Sequence, residues 1–336
     1  GFGRITILSA AGRHESAFTQ ERIVIGITMV LVLAFSVMLD AFLTPGNLLS
    51  LLQNVSILGI LGVAMALAII GRGIALSVVA TMAVSVAWVL HLSNNGVPIE
   101  VAVLLGLGLA VAIGLVNGIL VAYVEIPAIF ATLAMGTVAY GFVRSLLLDD
   151  NLIYLRGAAD SWFKWIGSGQ VLGVPNAVLV LGVVALAAHL VLRLLVPGRF
   201  LYAMGDNPVA ARVTGVPIRP LIVAQYMTVA AIAFVAGVVA ATSVDSVETR
   251  IARSNLVYDV ILVVVIGGIG LAGGKGGIRN VLVGTLLIGV LVNGMTIMNV
   301  PYTIQNIIKS LILLAAIVVD SIMNPRDEQT SQQGDI

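Results

Sequence analysis

Ten apolar runs, each close to the length a helix needs to cross a bilayer, divide this chain of 336 residues. A hydrocarbon core of about 30 Å takes about 20 residues of helix. The runs fall near 23–39, 48–70, 74–92, 97–122, 126–148, 174–196, 221–242, 258–272, 280–298 and 302–322, separated by Gly, Pro, Asn or charge. The expected fold is an all-α polytopic membrane protein of ten spans. It has nine if 258–272, which is short and runs into the glycine-rich stretch Gly267 to Gly277, is a broken or re-entrant helix. Composition agrees, with 60% hydrophobic and 10% charged residues, where soluble chains carry about 45–50% and 25%.

Lysine and arginine should collect in cytoplasmic loops if the segmentation is right. With the N terminus inside, the inner segments hold 11 of the 17: Arg4, Arg13, Arg22, Arg72, Arg193, Arg199, Arg212, Arg219, Lys275, Arg279 and Arg326. The outer loops hold 4, namely Arg156, Lys164, Arg250 and Arg253, while Arg144 and Lys309 lie within spans. Both termini are then expected in the cytoplasm. Residues 1–22 form a cytoplasmic segment too polar for a signal-peptide core, so the first apolar run reads as a retained span. Residues 23–322 form the transmembrane domain, and 323–336, with Asp327, Glu328 and several Gln and Ser, a disordered cytoplasmic tail. Two loops are long. The outer one, 149–173, carries Trp162, Phe163 and Trp165, a cluster of the kind that marks a membrane interface. The inner one is 197–220.

Several functions are excluded. A net charge of +1 offers no basic field for nucleic acid. Cysteine is absent, and His14, His91 and His189 are far apart in sequence, so thiolate chemistry and a metal site have little material. Gly268-Ile269-Gly270-Leu271-Ala272-Gly273 matches the dinucleotide pattern, but no Asp or Glu occurs between Asp259 and Asp320 to hold a ribose. Gly274-Lys275 resembles part of a P-loop, yet Ile269 stands where its first Gly belongs and Gly276 where Ser or Thr would hold Mg²⁺. No cofactor is expected on this chain, and no catalytic residue.

Leu115-Val116-Asn117-Gly118 recurs as Leu291-Val292-Asn293-Gly294, followed by Ile126-Pro127 and Val300-Pro301. Two related halves of five spans, an odd number, must run with opposite polarity, the inverted repeat of many transporters, with a path between them.

Five stretches carry a likeness to a known family: Gly71 to Ala80; Asn117-Gly118, Leu120 to Ala122, Ile126-Pro127 and Phe130 to Leu133; Gly198 to Gly215; Asp259, Gly267-Gly268, Leu271, Gly273 to Gly276, Gly284 and Gly289; and Asn293-Gly294, Val300, Lys309 and Asp320. In that order and spacing, over about residues 45–320, the chain resembles the ribose-type permeases of bacterial ABC importers, which serve sugars and autoinducer-2. The resemblance implies an inner-membrane permease subunit for a sugar or polyol, working by alternating access. Its implied partners are a second permease subunit, a separate ABC ATPase that holds ATP and Mg²⁺, and a periplasmic substrate-binding protein. It also implies a coupling helix that seats in the ATPase, at Gly198, Arg199, Tyr202, Gly205, Asn207, Ala210, Ala211, Arg212 and Gly215. The residues suit that task, since Asn207-Pro208 can start a short helix over Val209 to Val213 and Gly215-Val216-Pro217 can stop it; an ordinary basic loop is the alternative.

Sugar hydroxyls call for neutral amides, hydroxyls and aromatic faces. Candidates on a path are Asn54, Asn117, Tyr140, Gln225, Tyr226, Asn293, Tyr302, Asn306 and Lys309, although polar groups in spans more often bond other helices. Asp320, eleven residues beyond Lys309, is too distant to pair with it. Gly106, Gly108, Gly114, Gly284 and Gly289 read as close helix contacts, and the run Gly267 to Gly277 as irregular backbone beside the path. The family pattern Gly-Ile-Asp-Leu-Ser-Val-Gly stands here as Gly73-Ile74-Ala75-Leu76-Ser77-Val78-Val79, and Tyr140 takes the place of a frequent Arg, with Arg144 one turn on. A non-identical partner permease that retains the Asp is one explanation. Alternatives for the solute are nucleosides or branched-chain amino acids; a secondary transporter is a further class, disfavoured by the scarcity of carboxylates in the spans.

Overall fold

The computed structural model describes residues 5–148, 150–156 and 162–323, with side chains from Glu21 onward. The expected tail lies outside these beyond Met323, as do Arg4, Arg326 and the side chains of Arg13 and His14. Among the described residues the apolar runs become helices: α1 (Ile5–Met38), α2 (Pro45–Ile70), α3 (Val78–Asn94), α4 (Ile99–Ala122) and α5 (Ala128–Leu146). A short strand β1 (Leu152–Tyr154), α6 (Trp162–Ser168), the hairpin β2 (Gln170–Val171) and β3 (Val174–Pro175), and α7 (Asn176–Leu194) follow. Then come α8 (Val196–Asp206), α9 (Pro208–Val213), α10 (Ile218–Val244), β4 (Ser246–Glu248) and a 3₁₀ turn, Thr249–Arg253. The last helices are α11 (Leu256–Ile266), α12 (Ile278–Ile297) and α13 (Tyr302–Met323).

Among the described residues eight helices are long and apolar enough to cross a membrane: α1 from Glu21 onward, α2, α4, α5, α7, α10, α12 and α13. Helices α3 and α11 are apolar but shorter, at 17 and 11 residues. The chain is an all-α polytopic membrane protein, and the doubt over 258–272 resolves as a short α11 that ends in irregular backbone. Lys309 meets Asp259 and Asp320 meets Leu271, so α11 with the turn through Leu271 covers about the same rise as the eleven residues between Lys309 and Asp320, ~16 Å.

The packing repeats between halves. Helix α4 lies on α10 as α12 lies on α2; α3 packs on α4 and α5 as α11 packs on α12 and α13; α2 and α10 meet at the centre. That exchange relates α2–α5 to α10–α13, four helices in each half where the recurring Leu-Val-Asn-Gly led to an expectation of five. Helix α2 from Gly59 to Ile70 is almost wholly enclosed, whereas α1 and α13 turn Leu33, Val37, Leu311 and Leu314 outward, where acyl chains would cover them. Small residues make the contacts: Gly106 abuts Val89 and Phe234, Gly114 the Tyr226 backbone, Gly284 the Val263 carbonyl and Gly289 Val55. Gly108 departs from that reading, since nothing lies within 4 Å of where its Cβ would stand.

The two ends of the bundle differ in charge. One end gathers the 71–77 and 267–277 breaks, α8 and α9, with Arg22, Arg72, Arg193, Arg199, Arg212, Arg219, Lys275 and Arg279. The other gathers β1 paired antiparallel with β4, α6 and the 3₁₀ turn. The aromatic loop needs a correction. Trp162 and Trp165 are exposed, but Phe163 is fully buried under α10, because Gly167 lets α6 settle against Val239 and Thr242. Segment 197–220 also departs from the loop reading, being mostly the helices α8 and α9.

Candidate functional site

A helix leaves its last four carbonyls without intrahelical donors, and in the buried end of α2 all four find partners. Leu67 O accepts from Gly71 N at 3.4 Å and from Gln225 Nε2 at 3.0 Å. Ala68 O accepts from Gly73 N at 2.8 Å and from Gln225 Nε2 at 2.7 Å. Ile69 O accepts from Arg72 N, and Ile70 O from Gly274 N at 2.8 Å. The end of α2 is therefore tied both to α10, through Gln225, and to the glycine-rich turn.

The turn itself demands glycine. Gly273, Gly274 and Gly276 have φ of +82°, +72° and +95°, a region costly to side chains with a Cβ. Gly205 of α8 lies on Gly274, so close that a Cβ there would collide with the Ile70 carbonyl and stand 2.5 Å from Gly274 N. Tyr202 Oη donates to Gly276 O at 2.7 Å. Burial pushes the Tyr202 phenol above its ordinary range, with Arg193 opposing, so the hydroxyl remains a donor. Asp320 accepts from Leu271 N at 3.3 Å. Four segments, α2, α8, the 267–277 turn and α13, thus share one junction.

Helix α9 forms as its residues dictate. Asn207 Oδ1 accepts from Ala210 N at 3.0 Å, Pro208 occupies the first turn, and Gly215 at φ +86° ends the helix. Ala211 is buried while Val209 and Val213, four residues apart, are exposed with Arg212 beside them and Arg199 on α8. Gly198 sits against the Val191 and Leu192 backbone, docking α8 on α7.

The second group surrounds the 71–77 break. Asn117 Nδ2 donates to Ser77 Oγ at 2.8 Å, and Asn117 Oδ1 is buried without a partner. Thr132 Oγ1 accepts from Leu76 N and lies 3.1 Å from Ile74 O, which Tyr226 Oη also approaches at 3.5 Å. Ala75 and Val79, the departures from the family pattern, are both buried. Of the path candidates, Asn117 and Tyr226 bond the 71–77 break and Gln225 the end of α2 that leads into it.

The remaining candidates lie apart. Asn293 exchanges amide bonds with Asn47 at 2.8 and 3.0 Å, and Asn54 is exposed on α2. Tyr140 is buried beneath the Arg253 guanidinium, 4.3 Å from its ring centre, and Arg144 donates to Asn151 Oδ1 and Leu148 O. On α13, Lys309 Nζ pairs with Asp259 Oδ2 at 2.7 Å, Tyr302 is exposed 5.8 Å away, and Asn306 Oδ1 is buried without a partner. Ser77, Thr132, Asn47 and Asp259 were not among the path candidates. Ser77, Thr132 and Asp259 stood within the stretches that carry the family likeness, and Asn47 was signalled only by the demand of Asn293 for a partner.

Residues 47–317 match the family described as branched-chain amino acid transport system / permease component. The chain belongs to that family. The permease is 33% identical to the ribose import permease protein RbsC of Escherichia coli strain K12, over 94% of this chain and 99% of the relative. It is 30% identical to the galactofuranose transporter permease protein YtfT of the same organism, over 82% and 80%. It is also 30% identical to the fructose import permease protein FruF of Bifidobacterium longum, over 73% and 69%. No solved structure matches the permease at a significant level. Three of the family-derived stretches of sequence, Gly71 to Ala80, Gly198 to Gly215 and Gly267 to Gly276, converge at the one junction.

Proposed function

We propose that this permease is the membrane subunit of an ATP-driven importer for a sugar or polyol, set in a bacterial inner membrane with both termini in the cytoplasm. The arginine-rich end faces the cytoplasm, by the positive-inside bias. There α8 and α9 dock on a separate ATPase, which holds ATP and Mg²⁺; this chain performs no covalent chemistry and binds no cofactor. The observation that carries the reading is the exposed apolar and basic face of α9, Val209, Arg212 and Val213, joined through α8 to backbone at the ends of two broken helices. A push on α9 is thereby delivered to the 71–77 and 267–277 breaks. A second permease subunit, identical or retaining the family's Asp at the Ala75 position, completes the path, and a periplasmic binding protein delivers the solute. Alternating access follows from motion of these halves.

The sugar class is supported by relatives named for ribose, galactofuranose and fructose. A branched-chain amino acid is the second reading, favoured by the family's own description. Uptake into cells expressing the full importer separates them. Labelled D-ribose or another monosaccharide, competed by sugars and not by L-leucine, is the expected result; competition by L-leucine alone would overturn it. Uptake that survives ATP depletion and stops with an ionophore would make the permease a secondary carrier.

A further inference from the structure

Helix α9 has a second route into the bundle besides α8. Only Thr214 to Pro217 separate it from α10, and this link is stiff: Gly215 N donates to Arg212 O at 3.1 Å, Val216 N to Ala211 O at 3.0 Å, and Val216 is buried. Movement of α9 therefore reaches the first turn of α10 with little slack. In that turn Arg219 Nη2 donates to Glu125 Oε1 at 2.8 Å, and the guanidinium carbon lies 5.7 Å from the Tyr123 ring centre. Glu125 belongs to the turn between α4 and α5.

Local rules do not account for this pair. Val124 N and Ile126 N donate to Ile119 O and Leu120 O at the end of α4, and Glu125 between them has φ +61°, a conformation that glycine adopts freely and glutamate does not. Arg219 places a cation in the first turn of α10, where the helix dipole disfavours it. The Arg219 and Glu125 side chains are 42% and 35% exposed, and an ion pair so open to water adds little stability. Nor is the pair needed to hold α4 on α10. One turn inward, Gly118 already seats on the Val223 backbone, where a Cβ would stand 2.6 Å from Val223 Cα. What the pair adds is a grip on α5. That helix packs on α3 and α4, and its Thr132, seven residues beyond Glu125, accepts from Leu76 N at 3.1 Å and lies 3.1 Å from Ile74 O. A pull through Arg219 thus arrives at the same 71–77 break that α8 approaches through Gly205 and the Ile70 carbonyl. We infer that Arg219 and Glu125 are positioning residues of the transport cycle, a second coupling contact that carries movement of α9 into α5 and so moves the 71–77 break from two sides. The inference rests on the importer reading above.

Glu125→Gly separates this role from a structural one, because it relieves the backbone while it removes the carboxylate. The complete importer is reconstituted in vesicles, and uptake of labelled D-ribose, ATP hydrolysis and thermal aggregation are followed together. Thermal stability and ATP hydrolysis should be unchanged in Glu125→Gly, while uptake per ATP hydrolysed falls about two- to fivefold, the range an exposed ion pair supports. Arg219→Met, which keeps the stem over Tyr123, should fall alike. The exchange Glu125→Arg/Arg219→Glu should recover most of the ratio. An unaltered ratio in both single variants, a loss that the exchange leaves in place, or a fall in uptake that only tracks lost thermal stability would overturn the contact. Uptake by the unaltered permease that needs no ATP would instead overturn the importer reading.

Discussion

A methyl group added at Gly205 has nowhere to go. The Gly205→Ala Cβ would overlap the Ile70 carbonyl oxygen and lie 2.5 Å from Gly274 N and 2.9 Å from Gly274 Cα. Every obstacle is backbone, so no rotamer change relieves it. Ordinary contact requires α8 to withdraw by about 1.5 Å from the turn, which strains or opens the Gly274 N to Ile70 O bond. Overpacking of this kind costs about 1–3 kcal/mol, and the loosened bond adds about 0.5–1.5 kcal/mol. The closed junction should lose about tenfold to more than a thousandfold in population. Because the junction joins α8 and α9, the proposed docking helices, to the breaks, ATP hydrolysis should persist while uptake falls at least tenfold by these figures. The assay is the ratio of sugar uptake to ATP hydrolysis in reconstituted vesicles. Gly182→Ala, on α7 with nothing within 4 Å, is the neutral control. A Gly205→Ala importer that inserts normally and transports at the unaltered ratio would refute the reasoning.

Three further outcomes follow from single contacts. Lys309→Met leaves the Asp259 carboxylate in a half-buried site without its ammonium, which should cost about 3–5 kcal/mol; thermal aggregation in detergent should show it, with Lys309→Met/Asp259→Asn recovering most of the loss. Asn207→Ala removes the cap of α9 at about 1 kcal/mol, so co-purification of the ATPase should weaken several-fold while insertion is unchanged. Gln225→Leu keeps the apolar volume but withdraws both side-chain bonds from the end of α2, about 0.5–1.5 kcal/mol for each; uptake should fall, and protease cutting near 71–77 should quicken.

Hydropathy made the spans readable, because the bilayer requires long apolar helices whatever their partners. The repeat was readable from eight residues, since Asn117 and Asn293 occupy equivalent helices, α4 and α12. The cap of α9 was readable because an Asn-Pro start and a glycine stop are local signals. Helix α8 was not. Its Pro197, Gly198 and Gly205 look like loop residues, and it is helical because those glycines allow close seats on α7 and on the 267–277 turn. Lys309 announced a need for a partner in a membrane but not which one, since Asp259 lies 50 residues away and is brought near only by the packing of α11 on α13. Gln225 looked like a solute ligand because its acceptors, Leu67 O and Ala68 O, are free only once α2 stops at Gly71. Phe163 misled for a similar reason, its burial being a consequence of Gly167 meeting α10.

Purification of the permease from its native membrane in mild detergent, with mass spectrometry of what accompanies it, tests the central claim most directly. The account predicts a co-purifying ATPase that is lost when residues 198–215 are replaced by a flexible linker and insertion is retained. A permease that transports alone, or an ATPase that still binds after that replacement, would contradict it.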